Sequence, residues 1–398
     1  MACILKAPSQ HSKGVVTFTT QERDHVILKD ESLADQIESL KHDWLIGLHH
    51  NWHDYHFRYN PLFDFSMAGE DDLKEVNNAK FRLLEMDACN FSPACFYPGE
   101  TEKFWDILYL ARAVTFKNIP EFIEIIRHLY DAGMRCRVLL ICAVPPDKEG
   151  ADANARYRAL YDELFDDTEK RYFTLLTLNF SYPYPFDLET LAHFYRASKI
   201  FVHSANDERR CRVAAYAWAS GMPVVAKQSV GSVLPFAVQK PPYFYQARRY
   251  SHFPQLIQEA LANYDHQPIP GENPARDWTS VTTMSERLKG RLKEWCGNDR
   301  DDRFALTNLD IRLGRHHGIS VGANKISWNL QTFVQYLTQR GHAEICQDIQ
   351  SDDPEISITS LTGFEGLILS RNVEPEPKKK PYYGIKRRLR QTINLWLD

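Results

Sequence analysis

The residues "FWDILYLARAVTFKNIPEFIEIIRHLYDAGMRCRVLLICAV" (104–144) decide the fold. The apolar runs at 104–113 and 135–144 are typical of strands. Between them, apolar residues recur at helical spacing from a predicted cap at Asn118 to a glycine stop at Gly133. Two strands that are apolar along their whole length, joined by a helix, indicate a buried parallel sheet covered by helices.

The same alternation continues along the chain. Helical patterns lie at 153–165, 187–198, 253–265 and 277–295, and strand patterns lie at 171–180, 199–205 and 222–228. Residues 104–298 are therefore predicted to form one complete, doubly wound α/β domain. Ligands of such domains bind beyond the carboxyl ends of the strands.

Length and composition bound the classes of protein. A chain of 398 residues is too long for one ordinary core, which predicts two domains. A net charge of −4 predicts no general affinity for nucleic acid. The eight cysteines are scattered without a C-x-x-C pair, which favours a reduced, cytosolic protein. The first residues lack the apolar run of a signal peptide, and no stretch approaches the roughly 18 apolar residues of a membrane span.

The two ends of the chain are less regular. Residues 1–100 hold three strand candidates, at 14–20, at 43–49 and near "ACFYP" (94–98), too few for an independent domain of the same kind. Residues 304–398 hold one amphipathic helix that ends at Gly341, and a strand candidate follows it.

Residues 104–298 resemble the nucleotide-sugar-binding lobe of GT-B glycosyltransferases, especially the large retaining group numbered family 4. Four landmarks stand in the family's order: "ILYLARAVTFKN", "LAHFYRASKIFVHSANDE", "AYAWASGMPVVAKQSVGSVLP" and "DWTSVTTMSERL". The resemblance implies that Arg112 and Lys117 grip the donor diphosphate. It also implies that Glu208, which matches the first glutamate of the E-x7-E motif, touches the donor sugar.

The match departs from the family pattern in two places. Tyr216 stands at the second motif glutamate, which holds the ribose in the family, and a phenol cannot clamp two hydroxyls as a carboxylate does. The glycine-rich turn after the first glutamate is replaced by "RRCR" (209–212). The donor-binding residues that the resemblance implies are Arg112, Lys117, Glu208, Tyr216, Arg209, Gly231 and Ser232.

The predicted chemistry needs positive charge beside the leaving diphosphate. Arg112 and Lys117 fit that role, since fixed cations and helix N-termini stabilise charge that builds on a leaving phosphate. The ordinary alternatives are loop charges for these two residues and a helix-start acid for Glu208. The arginines of 209–212 are either solvated or hold a phosphate or an acidic sugar.

The first GT-B lobe poses a separate question, because only about 100 residues precede residue 104. The stretch at 309–348 looks like the opening of a GT-B lobe, with a strand, a glycine-rich loop and a helix ending in "RGH". One hypothesis is a circular permutation, in which 304–398 and 1–100 supply the two halves of the acceptor lobe. The alternative is a shrunken first lobe with an unrelated tail.

A histidine-rich segment, "GLHHNWHDYH" (47–56), has spacings compatible with metal ligation, but no H-E-x-x-H pattern accompanies it. Its histidines are metal ligands, acceptor contacts or catalytic bases, or packed or surface residues. The glycine-rich loop at 314–325 would line the cleft if the chain is permuted. The predicted acceptor-binding residues are His49, His50, His53, Gly322, Asn324 and Lys325.

The last predicted helix (384–397) is amphipathic and basic. Together with the preceding lysines, residues 378–397 suit either an anionic membrane surface or packing on the protein body.

The sequence as a whole is interpreted as a GT-B glycosyltransferase with two Rossmann-like, doubly wound parallel-sheet domains facing a cleft. It would be cytosolic, with or without a peripheral membrane contact, and would need no metal or other cofactor. It would move a sugar from a nucleotide-diphosphate sugar to a glycan or lipid-linked glycan, as in surface polysaccharide synthesis, with Glu208, Arg112 and Lys117 as catalytic residues. The rivals are a sugar-nucleotide epimerase, a non-catalytic binding protein and a metal-dependent hydrolase.

Overall fold

A computed structural model describes residues 2–49, 60–68, 82–145, 147–179, 186–266, 270–298, 300–314 and 318–351 of the chain. These residues fall into two compact units. Unit 1 holds the described residues of 2–91 and 281–351, and unit 2 holds those of Ser92–Ser280. None of the helices in these ranges is long and apolar enough to cross a membrane.

The elements of the described residues are numbered along the chain. The strands are β1 (Ala2–Lys6), β2 (Gly14–Thr19), β3 (Trp44–His49), β4 (Phe65–Ala68), β5 (Arg82–Glu85), β6 (Trp105–Arg112), β7 (Val138–Val144), β8 (Phe173–Asn179), β9 (Ser198–His203), β10 (Val224–Ala226), β11 (Phe244–Gln246), β12 (Ile319–Val321) and β13 (Asn324–Ile326). The helices are α1 (Thr20–His25), α2 (Glu31–Leu40), α3 (Ile119–Asp131), α4 (Lys148–Leu164), α5 (Leu188–Arg196), α6 (Arg212–Ala219), α7 (Phe253–Ala262), α8 (Pro274–Asp277), α9 (Val281–Cys296), α10 (Leu309–Arg312), α11 (Leu330–Gln339) and α12 (His342–Gln350).

Unit 2 is built on a six-stranded sheet in the order β8-β7-β6-β9-β10-β11, and every strand pair in it is parallel. Counted within the unit, this is the order 3-2-1-4-5-6 of the doubly wound Rossmann sheet. The helices form two groups, one in which α3 packs on α4 and α7, and one in which α6 packs on α5 and α8. The strand order reverses between β6 and β9, so the crevice at their carboxyl ends is the position where such sheets bind ligands.

The apolar pattern that predicted unit 2 is the pattern that it buries. All seven residues of β7 are buried, as expected for a central parallel strand. The apolar face of α3, which includes Phe122, Ile126 and Leu129, is fully buried. Gly133 ends this helix with a φ of +85°, a conformation that glycine adopts without strain.

Unit 1 is built on a seven-stranded, mostly parallel sheet in the order β13-β12-β1-β2-β3-β4-β5. Strands β2 to β5 are parallel to one another, while β1 runs antiparallel to β2. Strand β12 pairs in parallel with β1, with Cys3 opposite Ser320, so a segment from late in the chain shares a sheet with its first residues. The predicted fold class, α/β with two Rossmann-like units as in the GT-B fold, is confirmed.

Buried side chains join the early and late segments of unit 1. The guanidinium group of Arg312 is buried and donates hydrogen bonds to the Ala305 and Ile4 carbonyls and, at 3.0 Å, to Ser320 Oγ. The rings of Phe18 on β2 and Phe333 on α11 meet edge to face, with centroids 6.3 Å apart. The core of unit 1 therefore depends on both ends of the chain.

Three element predictions at the ends of the chain are wrong. Residues 94–98, all of which are described, form a turn followed by chain without regular secondary structure instead of a strand. Residues 309–312, read as the opening strand of a lobe, form the short helix α10. The strand candidate after Gly341 is helix α12, because Ile345 and Ile349 are one helical turn apart and both are buried.

Candidate active site

The candidate site lies at the carboxyl ends of β6 and β9, where the strand order of unit 2 reverses. Arg112 is the last residue of β6, and Lys117 closes the short 3-10 turn that follows it. His203 is the last residue of β9, and Glu208 lies in the loop between β9 and α6. Because β6 and β9 are parallel neighbours, their carboxyl ends bring residues 91 positions apart in the sequence into contact.

One carboxylate joins the two strand ends. Lys117 Nζ donates to Glu208 Oε1 at 2.6 Å, and His203 Nε2 lies 2.5 Å from Glu208 Oε2. The side chain of Lys117 is 1% exposed and that of Glu208 is 13% exposed, so the pair is largely shielded from water while the carboxylate keeps some access to it. Sequence reasoning predicted Lys117 and Glu208 for this site, and the structure brings them together.

A second layer of hydrogen bonds holds the turn after β6 against the end of β9. Tyr109 OH donates to the Lys117 carbonyl at 2.6 Å, and Ser204 Oγ donates to the Asn118 carbonyl at 2.8 Å. Asn118 itself adopts a φ of +50°. It stands at the cap position of α3, but its side chain makes no capping bond and instead donates to the Ser204 carbonyl at 3.3 Å. The side chain of the predicted cap residue therefore links the turn after β6 to the end of β9.

The loop after β10 completes the setting. The backbone N–H of Glu208 donates to Ser229 Oγ at 3.3 Å, and Ser232 Oγ donates to the Arg209 carbonyl at 2.5 Å. Gly231 lies against Phe244, where a Cβ atom would come within 2.3 Å of the ring. Arg209, Gly231 and Ser232, which the resemblance assigned to the donor, thus lie in two loops that bind each other.

The charges of the site are set by burial and by its internal pairs. Burial alone would raise the pKa of Glu208, but the charge of Lys117 and the hydrogen bonds from Lys117 and His203 hold that pKa well below its usual value. Burial lowers the pKa of His203, and the nearby carboxylate offsets only part of this effect. At neutral pH the site therefore contains an ionised glutamate and a neutral histidine.

The chemistry of the donor set bears on metal binding. Ligand atoms of His203, Glu208 and Cys211 lie within 4.8 Å of one another. Burial, however, raises the pKa of the Cys211 thiol, which therefore stays protonated. The ammonium of Lys117 already supplies a positive charge 2.6 Å from the carboxylate. Lys117 is therefore the counterion of Glu208 in this cluster. The sequence-based expectation of a metal-independent site stays a prediction.

The other residues predicted for the donor lie around this cluster. Arg112 is half-buried at the carboxyl end of β6. Tyr216 is buried in α6, and its ring stacks on Phe96 with a centroid distance of 4.2 Å. The phenol at the second motif position therefore packs in the interior of unit 2.

The described residues among those predicted for the acceptor belong to unit 1. His49 is the last residue of β3, is buried, and its Nδ1 lies 3.2 Å from Thr17 Oγ1. Burial lowers the pKa of His49 to about 3. Gly322, with a φ of +57°, turns the hairpin between β12 and β13 against the Ile349 backbone. The predicted residues Asn324 and Lys325 are described in their backbone only, and His50 and His53 lie outside the described residues.

Sequence reasoning missed His203, Tyr109 and Ser229. His203 carried a usable signal, because it is a polar residue directly after the apolar run 200–202, at the carboxyl end of a strand in a doubly wound domain. Tyr109 and Ser229 carried none, since a tyrosine in an apolar strand and a serine in a loop are both ordinary.

No family model matches the chain, and no curated protein matches it. Among solved structures, it is similar to sucrose-phosphate synthase from Thermosynechococcus elongatus, with 16% identity, 67% of this chain and 62% of that chain covered, and a TM-score of 0.42. It is also similar to a glycosyltransferase from Rickettsia africae, with 12% identity, 67% and 82% covered, and a TM-score of 0.46.

A third similar structure is the pneumococcal O-GlcNAc transferase GtfA in complex with UDP and GlcNAc. Its identity is 10%, with 67% of this chain and 55% of that chain covered, and its TM-score is 0.40. The chain thus spans less than two thirds of the length of sucrose-phosphate synthase and of GtfA. These three neighbours are a sucrose-phosphate synthase, a glycosyltransferase and an O-GlcNAc transferase.

Proposed function

We propose that this protein is a glycosyltransferase that moves a sugar from a nucleotide-diphosphate sugar to a glycan acceptor, with retention at the anomeric carbon. One observation carries the proposal. A lysine, a glutamate and a histidine meet at the carboxyl ends of β6 and β9, the switch point at which doubly wound sheets bind ligands. The motif order in the sequence supports a nucleotide sugar as that ligand.

The reaction would break the bond between the anomeric carbon and the diphosphate oxygen. The electron pair of that bond stays on the diphosphate, the acceptor oxygen forms the new bond to the anomeric carbon, and its proton passes to the departing diphosphate. Arg112, at the end of β6, would bind the diphosphate directly. Lys117 would add positive charge from the interior of the unit. Its ammonium is buried, and because water screens a buried charge little, that charge would act on the diphosphate over a longer distance.

Glu208 would position the donor sugar. Its low pKa keeps it ionised, so it can only accept hydrogen bonds, and sugar hydroxyls are donors that suit it. Lys117, His203 and the thiol of Cys211 donate to its oxygens. A carboxylate has about four lone-pair sites, so acceptor capacity remains for the sugar. An ionised glutamate cannot act as the general acid, so the leaving diphosphate depends on positive charge instead.

The acceptor side belongs to the same proposal. Residues 1–100 and 304–398 would form a circularly permuted acceptor lobe, supported by the pairing of β12 with β1. A chain that begins at residue 304 and joins residue 398 to residue 2 should then fold and keep its turnover, whereas an unfolded product would contradict the permutation.

Residues 378–397 would contact a membrane that carries a lipid-linked acceptor, so anionic vesicles should sediment the full chain but not a chain ending at 377.

Product analysis tests the reaction. The full chain is incubated with UDP-, GDP- and dTDP-sugars, with and without a pool of oligosaccharide acceptors, and the nucleotide and sugar products are separated. Transfer predicts release of one nucleoside diphosphate and a larger glycan. We expect Arg112→Ala to lower this turnover about 10- to 100-fold, as for loss of a charged hydrogen bond in the transition state. Arg137→Ala, at the opposite end of the sheet, is the matched control and should leave it unchanged.

The other outcomes separate the rivals. Conversion of the donor to an epimer without any acceptor would identify an epimerase. Binding of a nucleotide sugar without release of diphosphate under any condition would identify a binding protein. Turnover that is equal in Arg112→Ala and wild type would contradict the assigned site.

A further inference from the structure

The geometry points to His203 as a positioning residue, which fixes the carboxylate of Glu208 in the orientation that accepts the donor sugar. This inference rests on the proposed function of the site. His203 ends β9, is fully buried, and places Nε2 2.5 Å from Glu208 Oε2. Lys117 Nζ holds the other oxygen, Oε1, at 2.6 Å.

The hydrogen-bond donor in this pair follows from the ionised state of Glu208. An ionised carboxylate only accepts, so Nε2 must carry the proton and Nδ1 the lone pair. Nδ1 is buried and has no hydrogen-bond partner within the described part of the chain. The imidazole ring is held by packing. It lies edge to face against the ring of Tyr109, with centroids 5.3 Å apart, and stacks on the ring of Phe201, with centroids 6.1 Å apart. The imidazole is therefore a rigid group with one directed donor.

A buried imidazole whose second nitrogen has no partner is a poor choice for packing alone. An aliphatic or aromatic side chain would fill the same space between Tyr109 and Phe201 without burying an unsatisfied acceptor. What the histidine adds is the bond from Nε2 to Glu208. The structure thus retains an imperfectly satisfied polar group at the one place where it contacts the candidate site, as functional sites commonly do.

Two strong donors on one carboxylate restrict it in a way that one cannot. With only Lys117 and the weak thiol donor of Cys211, the carboxylate could rotate about its terminal bond and exchange its oxygens on a flexible ammonium. The imidazole comes from a rigid strand end and is planar, so the second bond fixes the plane of the carboxylate. The remaining lone pairs then point in constant directions, which is the requirement for preorganised recognition of a sugar hydroxyl.

The test compares two substitutions in the full chain. His203→Leu removes the donor and keeps an apolar filling, while His203→Gln places an amide Nε2–H near the position of the imidazole Nε2–H. We expect His203→Leu to lower kcat/KM for the donor about 10- to 100-fold, mainly in kcat. Affinity for the free nucleoside diphosphate should change less than about twofold, because the diphosphate is bound by Arg112 and not by Glu208. His203→Gln should recover a large part of the loss, and His128→Leu, on the exposed face of α3, should behave as wild type.

The outcomes separate the inference from the function on which it rests. Two results would overturn the inference and leave the proposed function standing. One is that the wild type turns over the donor and His203→Leu does so equally well. The other is that His203→Leu loses turnover and His203→Gln does not recover it. A wild type that binds and turns over no nucleotide sugar would overturn both the inference and the proposed function. If His203→Leu does not fold, the imidazole ¹⁵N spectrum of the wild type decides the matter. A proton on Nε2 that shifts in Glu208→Gln supports the inference, and a proton on Nδ1 overturns it.

Discussion

Each unit ends one parallel strand with a buried histidine, and the two histidines have different neighbours. His203 ends β9 in unit 2, and His49 ends β3 in unit 1. Burial lowers the pKa of both. His203 meets the carboxylate of an ion pair, whereas His49 meets the hydroxyl of Thr17. A perturbed pKa alone therefore does not mark a site, and what distinguishes unit 2 is a charge pair at the switch point of its sheet.

The largest expected effect on turnover comes from removing the charge of Glu208, the carboxylate that His203 contacts and His49 lacks. Glu208→Gln should lower donor turnover about 100-fold, because it removes the ionised acceptor for the sugar and leaves the Lys117 charge without its partner. Steady-state kinetics with the donor found by product analysis measure the effect.

Glu169→Gln is the matched control for this change. Glu169 is another carboxylate of unit 2 with a cation on it, since Arg127 donates to its two oxygens at 2.6 and 2.9 Å. That pair lies away from the carboxyl ends of β6 and β9, so its loss should lower thermal stability and leave turnover intact. Equal turnover losses in the two variants would erase the proposed distinction between site and scaffold.

The next effect is on folding. Lys117→Met leaves the shielded carboxylate of Glu208 without its cation, and we expect it to lower the free energy of unfolding by about 3 kcal/mol. The double variant Lys117→Met/Glu208→Gln removes both charges and should recover most of that loss. Urea unfolding of the single and double variants measures the coupling. Additive losses would show that the two side chains do not form the buried pair seen here.

A pH effect sharpens the comparison from the side of unit 1. In the unfolded chain the pKa of His49 is near 6.5, but in the folded chain burial lowers it to about 3. Between these values the unfolded state binds the extra proton, so stability is fully present above pH 6.5 and falls as the pH drops.

His49→Leu should remove this contribution, up to about 1.4 kcal/mol per pH unit of acid sensitivity. Unfolding curves between pH 7 and pH 4 provide the measurement, with the exposed His11→Leu as the control. An unchanged slope in His49→Leu would show that this histidine does not titrate as its burial requires.

The smallest effect concerns the hydroxyl that His49 meets. Thr17→Val keeps the shape of the side chain and removes the oxygen 3.2 Å from His49 Nδ1. We expect a loss of about 1 kcal/mol in stability and no change in nucleoside diphosphate affinity. A weakened affinity would mean that unit 1 contributes to the donor site, contrary to the comparison drawn between the two histidines.

Unit 2 was predictable because its elements are long and apolar. Strands β6 and β7 lie within the predicted runs, and α3 begins and ends within two residues of its predicted bounds. Unit 1 was less predictable for local reasons. Strand β1 has only five residues, and α12 has only nine, a length at which a short apolar segment cannot be assigned to strand or helix by periodicity alone.

The candidate site was predictable only in part. The resemblance named Lys117 and Glu208, and their contact follows once β6 and β9 are known to be the first and fourth strands of a 3-2-1-4-5-6 sheet. Strand order is a tertiary property, so periodicity along the chain cannot supply it. The role of His203 depended on the direction of its side chain, and the packing of Tyr216 on Phe96 depended on α6 facing inward. Neither can be read from spacing.

Calorimetry with UDP, GDP, dTDP and CMP tests the central claim, that unit 2 binds a nucleoside diphosphate at the ends of β6 and β9, most directly. The wild type should bind one diphosphate with micromolar affinity, Arg112→Ala should weaken it at least about tenfold, and Arg137→Ala should leave it unchanged. The claim would be contradicted if the wild type bound none of the four nucleotides, or if all three proteins bound the same nucleotide with equal affinity.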